Sequence, residues 1–227
     1  MNLFPPLDLN HIHIITDFDG IITDHDTLET LLKQFGTPEW LHIERRLEQG
    51  LLTVDDAFRQ QMGLLEVSLK DALEALDNEI QIDETVGECA KELLENGGQF
   101  TIASAGFTEI ISHLLNGVIP KGVTVRANQV EIINNRWTVI PSPTPKIKGL
   151  CTHCKRYWVE KAKVAGDIVI YVGDGFTDRC PAEAADRVYA RGSLLTYRQE
   201  KGLPTYPFQD FGTMWNDIKH LRSGVAK

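Results

Sequence analysis

The sequence predicts an α/β fold, a Rossmann-like parallel-sheet core with an inserted helical cap domain and a small β-hairpin, and three observations carry that prediction. Short β-branched runs alternate with amphipathic helical stretches. A block without strand signal, from about residue 27 to 76, follows the first run. Polar, acid-rich segments stand just after several strand runs, where an open α/β sheet collects its ligand-binding groups.

Taken in order, His11 to Thr16 reads as a buried strand that ends at Asp17. Leu28, Leu31, Leu32 and Phe35 then recur at helical spacing, and Pro38 stands where a new helix would begin. Thr53-Val54-Asp55-Asp56 and Ser68-Leu69-Lys70-Asp71 have the form of capped helix starts. The expectation is about four helices forming a cap over residues 24–83, inserted in a core made of residues 1–23 and 84–227. Glu84 to Asn96 is an amphipathic helix closed by Gly97-Gly98, and Gln99 to Ala103 is a strand running into Ser104-Ala105-Gly106. Phe107 to Leu115 resumes as helix, and Val123 to Arg126 is strand-like. Gln129 to Ile133 and Arg136 to Ile140 flank Asn134-Asn135, a two-residue hairpin turn. Pro141, Pro143 and Pro145 mark a stiff loop before a helix containing Lys155. Asp167 to Val172 is a strand ending in Gly173-Asp174-Gly175, followed by a short helix from Asp178 to Ala185 and a strand from Arg187 to Ala190.

The 227 residues, 42% of them hydrophobic, suffice for one buried domain with a small accessory one. Lys and Arg number 23 against 32 Asp and Glu, a net charge of −9 that repels nucleic acid and anionic membranes, so an anionic ligand must be held by local devices. Four cysteines are too few for a disulfide framework and fit a reducing compartment. The start carries no basic region followed by an apolar stretch, and no apolar run approaches a membrane span. A cytoplasmic monomer or homodimer without nucleic-acid or membrane partners is expected.

Asp17 and Asp19 are two residues apart at a strand exit, so both face one side while Phe18 points inward. Two close carboxylates cannot both ionise cheaply, and a metal on one lets the other keep a raised pKa. That divides them into a nucleophile, Asp17, and an acid/base, Asp19. Magnesium prefers oxygen ligands, and Asp17, Asp19 and Asp174 with a main-chain carbonyl supply them, while Asp178 orients a metal-bound water or Lys155. Phosphoryl transfer needs charge stabilisation, for which Gly20, Ser104, Ala105 and Lys155 are the phosphate-binding candidates. A small phosphorylated metabolite is the expected substrate, because a closing cap cannot cover a polymer.

These segments, Asp17-Phe18-Asp19-Gly20-Ile21-Ile22-Thr23, Ser104, Lys155 and Gly173-Asp174-x-x-x-Asp178, in that order with a helical block after the first, resemble the haloacid dehalogenase-like superfamily in its phosphoserine phosphatase-like branch. The resemblance implies a magnesium-dependent phosphatase working through an aspartyl-phosphate, and it covers nearly the whole chain. Pro38-Glu39-Trp40 and the stretches 184–191 and 202–208 resemble a methionine-salvage subfamily of that branch. Phosphoserine phosphatases carry a cap arginine where this chain aligns Gln61 and a glutamate where it has Asp26, which argues against phosphoserine. His25, Asp26 and Arg59 are the cap residues expected to meet the substrate.

Plainer readings stand beside these. Ser104 alone would cap the helix after it, and Lys155 alone would be an exposed lysine. Cys151-x-x-Cys154 is half of a zinc site or a redox pair, or two ordinary thiols. His11 and His13 read as packed or edge residues of the first strand.

Overall fold

A computed structural model describes residues 8–145 and 153–222. Its centre is a seven-stranded sheet in the order β4-β3-β2-β1-β5-β6-β7, formed by β1 (Ile12–Thr16), β2 (Gln99–Phe107), β3 (Thr124–Ile133), β4 (Arg136–Ile140), β5 (Ile168–Gly173), β6 (Arg187–Ala190) and β7 (Tyr206–Pro207). Every pairing is parallel except β3 with β4. The chain builds outward from β1 through β2 and β3, then returns to the other side of β1 for β5 and β6. That reversal puts a crevice beside the carboxyl end of β1, the place where open α/β sheets bind ligands.

Between β1 and β2 lie α1 (Thr27–Phe35), α2 (Trp40–Glu48), α3 (Val54–Met62), α4 (Leu69–Glu79) and α5 (Val86–Glu95). Asp26, Thr53 and Ser68 cap α1, α3 and α4 by accepting the backbone N–H three residues on, so two of the capped starts read from the sequence are present. The ends of the α1–α4 insertion are tied together: Asp24 N donates to Gln81 O and Asp83 N to Ile22 O, around a bridge between Thr23 and Ile82. Phe58 of α3 meets Phe107, which meets Trp137 of β4, and the Trp137 indole donates to Val67 O, so the insertion also rests on the hairpin. That hairpin closes at Asn134 and Asn135 with φ of 51° and 63°, the two positive values a type I′ turn requires.

The helices α5, α6 (Thr108–Leu114) and α10 (Phe211–Arg222) belong with the larger apolar cluster, and α7 (Lys155–Val164) and α8 (Arg179–Ala184) with the smaller one on the other side of the sheet. The helix α9 (Gly192–Glu200) follows β6. Several features differ from the expectation. The strand β2 continues through Ser104, Ala105 and Gly106 to Phe107, with a register shift against β3 between Ala103 and Phe107, so the polar run sits on a bulge and not in a loop. Helices α9 and α10 lie in a stretch where no element was expected. His11 belongs to a 3₁₀ turn, and only His13 lies in β1. Cys151 lies outside the described residues.

Candidate active site

Register brings the polar segments together. Thr16, the last residue of β1, is level with Ile102 of β2 and Val172 of β5, and Asp17 N donates to Val172 O. Asp17, Ser104 and Asp174 therefore leave three adjacent strands at about the same height. Phe18 is fully buried as expected, and its carbonyl accepts from Ile21, Ile22 and Thr23 N–H, which coils the chain tightly after Asp17.

Lys155, 4% exposed at the first turn of α7, donates to Asp17 Oδ2 and, at 2.8 Å, to Asp178 Oδ1. Asp178 also accepts from the Tyr171 hydroxyl at 2.6 Å and from the N–H groups of Asp174 and Gly175 at 2.9 and 3.1 Å. One ammonium shared by two buried carboxylates fully compensates only one of them. Burial works against the charge of Asp178, but Lys155, Tyr171 and the loop N–H groups outweigh it and hold its carboxyl below the ordinary value. Asp17 bears the cost: burial and then the charge of Asp178 push its carboxyl well up despite Lys155. For Lys155 burial is outweighed by the two carboxylates, which keep it charged.

The Asp19 carboxylate is turned the other way. Its Oδ1 accepts from Thr27 N at 2.9 Å and Thr27 Oγ1 at 2.6 Å, and its Oδ2 faces the Ser104 hydroxyl at 3.5 Å. Burial raises its carboxyl and the Thr27 bonds only partly offset this. Ser104 accepts from Gly106 N at 2.9 Å and caps no helix; α6 has no side-chain cap. Ala105 is fixed through its carbonyl, which accepts from Asn128 Nδ2 at 2.7 Å.

Carboxylate oxygens of Asp17, Asp174 and Asp178 lie within 4.8 Å of one another. The donors are all hard oxygens, the set magnesium prefers. Asp174 is pushed up to about 6, first by burial and then by the charge of Asp178. The site thus carries more negative charge than Lys155 balances, and a divalent cation fits that deficit. Asp178 brings four hydrogen bonds to this trio, so it braces Lys155 and the loop, while Asp19 enters it with neither carboxylate oxygen.

Gly20, at φ +69°, passes so close to Asp174 that a Cβ there would stand 2.4 Å from its Oδ2. Gly20→Ala is expected to displace Asp174 and to cost about 1–3 kcal/mol of stability; a thermal melt checks it.

Of the cap residues expected to meet a substrate, Asp26 lines a cavity of about 230 Å³ between α1, α2 and α3. His25 faces Asp24 at 2.9 Å and Arg59 pairs with Asp55 at 3.4 Å. Neither engages the carboxylate cluster. Sequence reasoning passed over Thr27, Tyr171, Asn128 and Arg191. Arg191 stands one residue past β6, so the rule that strand ends gather the site applied to it as well. Its guanidinium donates to the carbonyls of Gly20, Ile21 and Thr23, and its own N–H to Gly173 O, which joins the loop after Asp17 to the end of β5.

No protein-family model matches the chain. A 2-hydroxy-3-keto-5-methylthiopentenyl-1-phosphate phosphatase of Bacillus thuringiensis (strain Al Hakam) is 29% identical over 213 residues, spanning 92% of this chain and 97% of that protein. A solved phospho-aspartyl intermediate analogue of phosphoserine phosphatase superposes with a TM-score of 0.68 at 22% identity, over 91% of this chain and 98% of the other. The resemblance to the haloacid dehalogenase-like phosphatases holds. A HAD family hydrolase from Salmonella enterica serovar Typhi superposes with a TM-score of 0.70 at 18% identity, over 92% of this chain and 71% of its own. The fold expected from the sequence is the fold of these proteins, and the relatives named are phosphatases, the class expected from the sequence. No helix among the described residues is long and apolar enough to cross a membrane.

Proposed function

We propose that the chain is a magnesium-dependent phosphatase that cleaves 2-hydroxy-3-keto-5-methylthiopentenyl-1-phosphate, or a close relative of it, through an aspartyl-phosphate on Asp17. The observation that carries the chemistry is the pairing of Lys155 with Asp17 beside Asp174, with Asp19 held apart on Thr27. The substrate rests on the 29% identical relative.

Asp17 Oδ1 accepts the Phe18 N–H at 2.7 Å and Oδ2 is held by Lys155, so the nucleophile is fixed before a substrate arrives. An Asp17 oxygen bonds to phosphorus as the bond to the leaving oxygen breaks, and Asp19 gives that oxygen its proton. The raised carboxyl of Asp19 suits a donor. Asp19 then takes a proton from water, which attacks the aspartyl-phosphate and releases phosphate and Asp17. Lys155, the Ser104 hydroxyl and the N–H groups of the bulge supply positive potential to the phosphoryl oxygens. Magnesium, held by Asp17, Asp174 and a main-chain carbonyl at Asp19, would add positive charge to the same oxygens. The α1–α4 insertion serves as the cap that excludes water and chooses the leaving group. The free thiols Cys89, Cys154 and Cys180 support a reducing, cytoplasmic setting.

Phosphate release from a panel of phosphorylated metabolites is the test. Turnover is expected with magnesium, is lost in EDTA and returns on adding the metal, with the methylthiopentenyl phosphate preferred over phosphoserine and phosphocholine. Turnover that survives EDTA unchanged contradicts the metal, and a preference for phosphoserine contradicts the substrate.

A further inference from the structure

Arg191 directly follows β6 and reaches across the carboxyl end of the sheet to the chain leaving β1. Its Nε donates to Gly20 O at 2.5 Å, and its Nη2 to Ile21 O at 3.3 Å and Thr23 O at 3.2 Å. The main chain around it grips the other loop of the site. Arg191 N donates to Gly173 O at 3.2 Å and Leu194 N to Asp174 O at 2.7 Å. Gly192, at φ +56°, packs so closely that a Cβ there would lie 3.0 Å from Asp174 O. One turn of chain thus holds the Asp174 loop by its backbone and the 20–23 segment by a guanidinium, whose rigid fork of donors can serve several carbonyls at once.

The 20–23 segment in turn carries Asp19. Thr23, fully buried, donates to His25 O at 2.7 Å and accepts from Gly20 N at 3.1 Å, which folds the chain back toward Thr27. Thr27 then holds Asp19 Oδ1 through its N–H and its hydroxyl. Asp17 is held by a separate set: its N–H on Val172 O, its carboxylate on Phe18 N–H and Lys155. None of these contacts involves Arg191. Among the described residues the hydrogen bonds of Arg191 all go to main-chain carbonyls, so it acts through the backbone. Ile21 and Ile22 are buried in the core, which keeps this segment folded without the guanidinium but does not fix its carbonyls.

We propose that Arg191 is a positioning residue that sets the Asp19 carboxyl against the leaving oxygen by clamping the 20–23 segment to the Asp174 loop. This rests on the reading of Asp19 as the group that protonates that oxygen. Without the guanidinium three carbonyls must find other donors, and the segment shifts to meet them. A shift of about 1 Å is enough to cost roughly a hundredfold in rate. Asp17 keeps its own contacts, so the loss falls on proton delivery and not on attack at phosphorus. An alkoxide needs that proton to leave, whereas p-nitrophenolate leaves as the anion.

The experiment compares kcat/KM, which reports the steps through the first phosphoryl transfer, for n-butyl phosphate and p-nitrophenyl phosphate at saturating magnesium. The proteins are the wild type, Arg191→Met, Arg191→Lys and, as the reference for a missing acid, Asp19→Asn. Asp19→Asn is expected to lower use of the butyl ester by at least about a hundredfold and of the nitrophenyl ester by less than about tenfold. Arg191→Met should show the same selectivity, with a loss of about a hundredfold on the butyl ester and less than about threefold on the other. Arg191→Lys keeps the charge and loses the fork, and is expected to retain a selective loss of at least about tenfold even if the Met variant folds poorly. Equal losses on both esters, or none on either, in a folded Arg191 variant while Asp19→Asn is selective overturns the role of Arg191 and leaves the phosphatase reading standing. Full rescue by lysine makes charge the cause and overturns the clamp as well. Equal losses on both esters in Asp19→Asn overturn the acid reading and this proposal with it.

Discussion

Asp17→Asn is expected to lower turnover of every phosphomonoester by roughly 10⁴-fold while leaving the metal-free protein at least as stable as the wild type. The loss follows from its proposed role as nucleophile, since an amide oxygen could not carry a covalent intermediate forward. The stability follows from linkage. In the folded protein the Asp17 carboxyl lies well above its ordinary value, through burial first and the charge of Asp178 second. A carboxyl raised on folding favours the folded state when protonated, so at neutral pH the ionised group costs stability. Removing that charge relieves the cost, and Lys155 keeps Asp178 as a partner. Steady-state rates and thermal melts in EDTA on one preparation check both halves. A melting temperature well below the wild type would show that Asp17 stabilises the fold, which the crowded carboxylates argue against.

Lys155→Met is expected to remove activity by roughly three orders of magnitude and also to destabilise the protein, by about 3–5 kcal/mol. The distinction from Asp17→Asn is the diagnostic point. The ammonium is 4% exposed and is shared by Asp17 and Asp178, so deleting it leaves two buried carboxylates without a cation. Their carboxyls then rise further, and the destabilisation should shrink as pH falls and they take up protons. The double variant Asp17→Asn, Lys155→Met should be less destabilised than Lys155→Met alone, because one of the stranded charges is gone. Urea melts of the four proteins at neutral and mildly acidic pH measure this directly. A double variant that simply sums the single effects would deny the coupling.

Much of this was legible in the sequence because the relevant signals are local. The β-branched run before Asp17, the capped starts at Thr53 and Ser68, and Asn134-Asn135 each carry their own physics within a few residues. The β2 bulge was not legible, since Ser104-Ala105-Gly106 lacks β-branched residues and is held by pairing with β3 on either side of it, at Ala103 and Phe107, and by Asn128 on the Ala105 carbonyl. Helix α9 shows no apolar face to read: Leu194 and Arg198 are its buried residues, and Arg198 is held by the Ala182 and Pro204 carbonyls. Helix α10 is anchored across sequence distance, by Phe211 N on Asp83 and the Trp215 indole on Glu92. In the site, the acids at strand ends were readable from spacing, while the residues that orient them were not. Thr27 looks like an ordinary helix start until the fold sets it against Asp19.

The central claim is the covalent intermediate on Asp17. Acid quenching during turnover, followed by borohydride reduction and peptide mass spectrometry, tests it most directly, because an aspartyl-phosphate is reduced to homoserine. Homoserine at position 17, dependent on substrate and magnesium and absent without either, is the result this account predicts. An enzyme that releases phosphate at full rate with Asp17 unmodified throughout, or modified at another carboxylate, would contradict it.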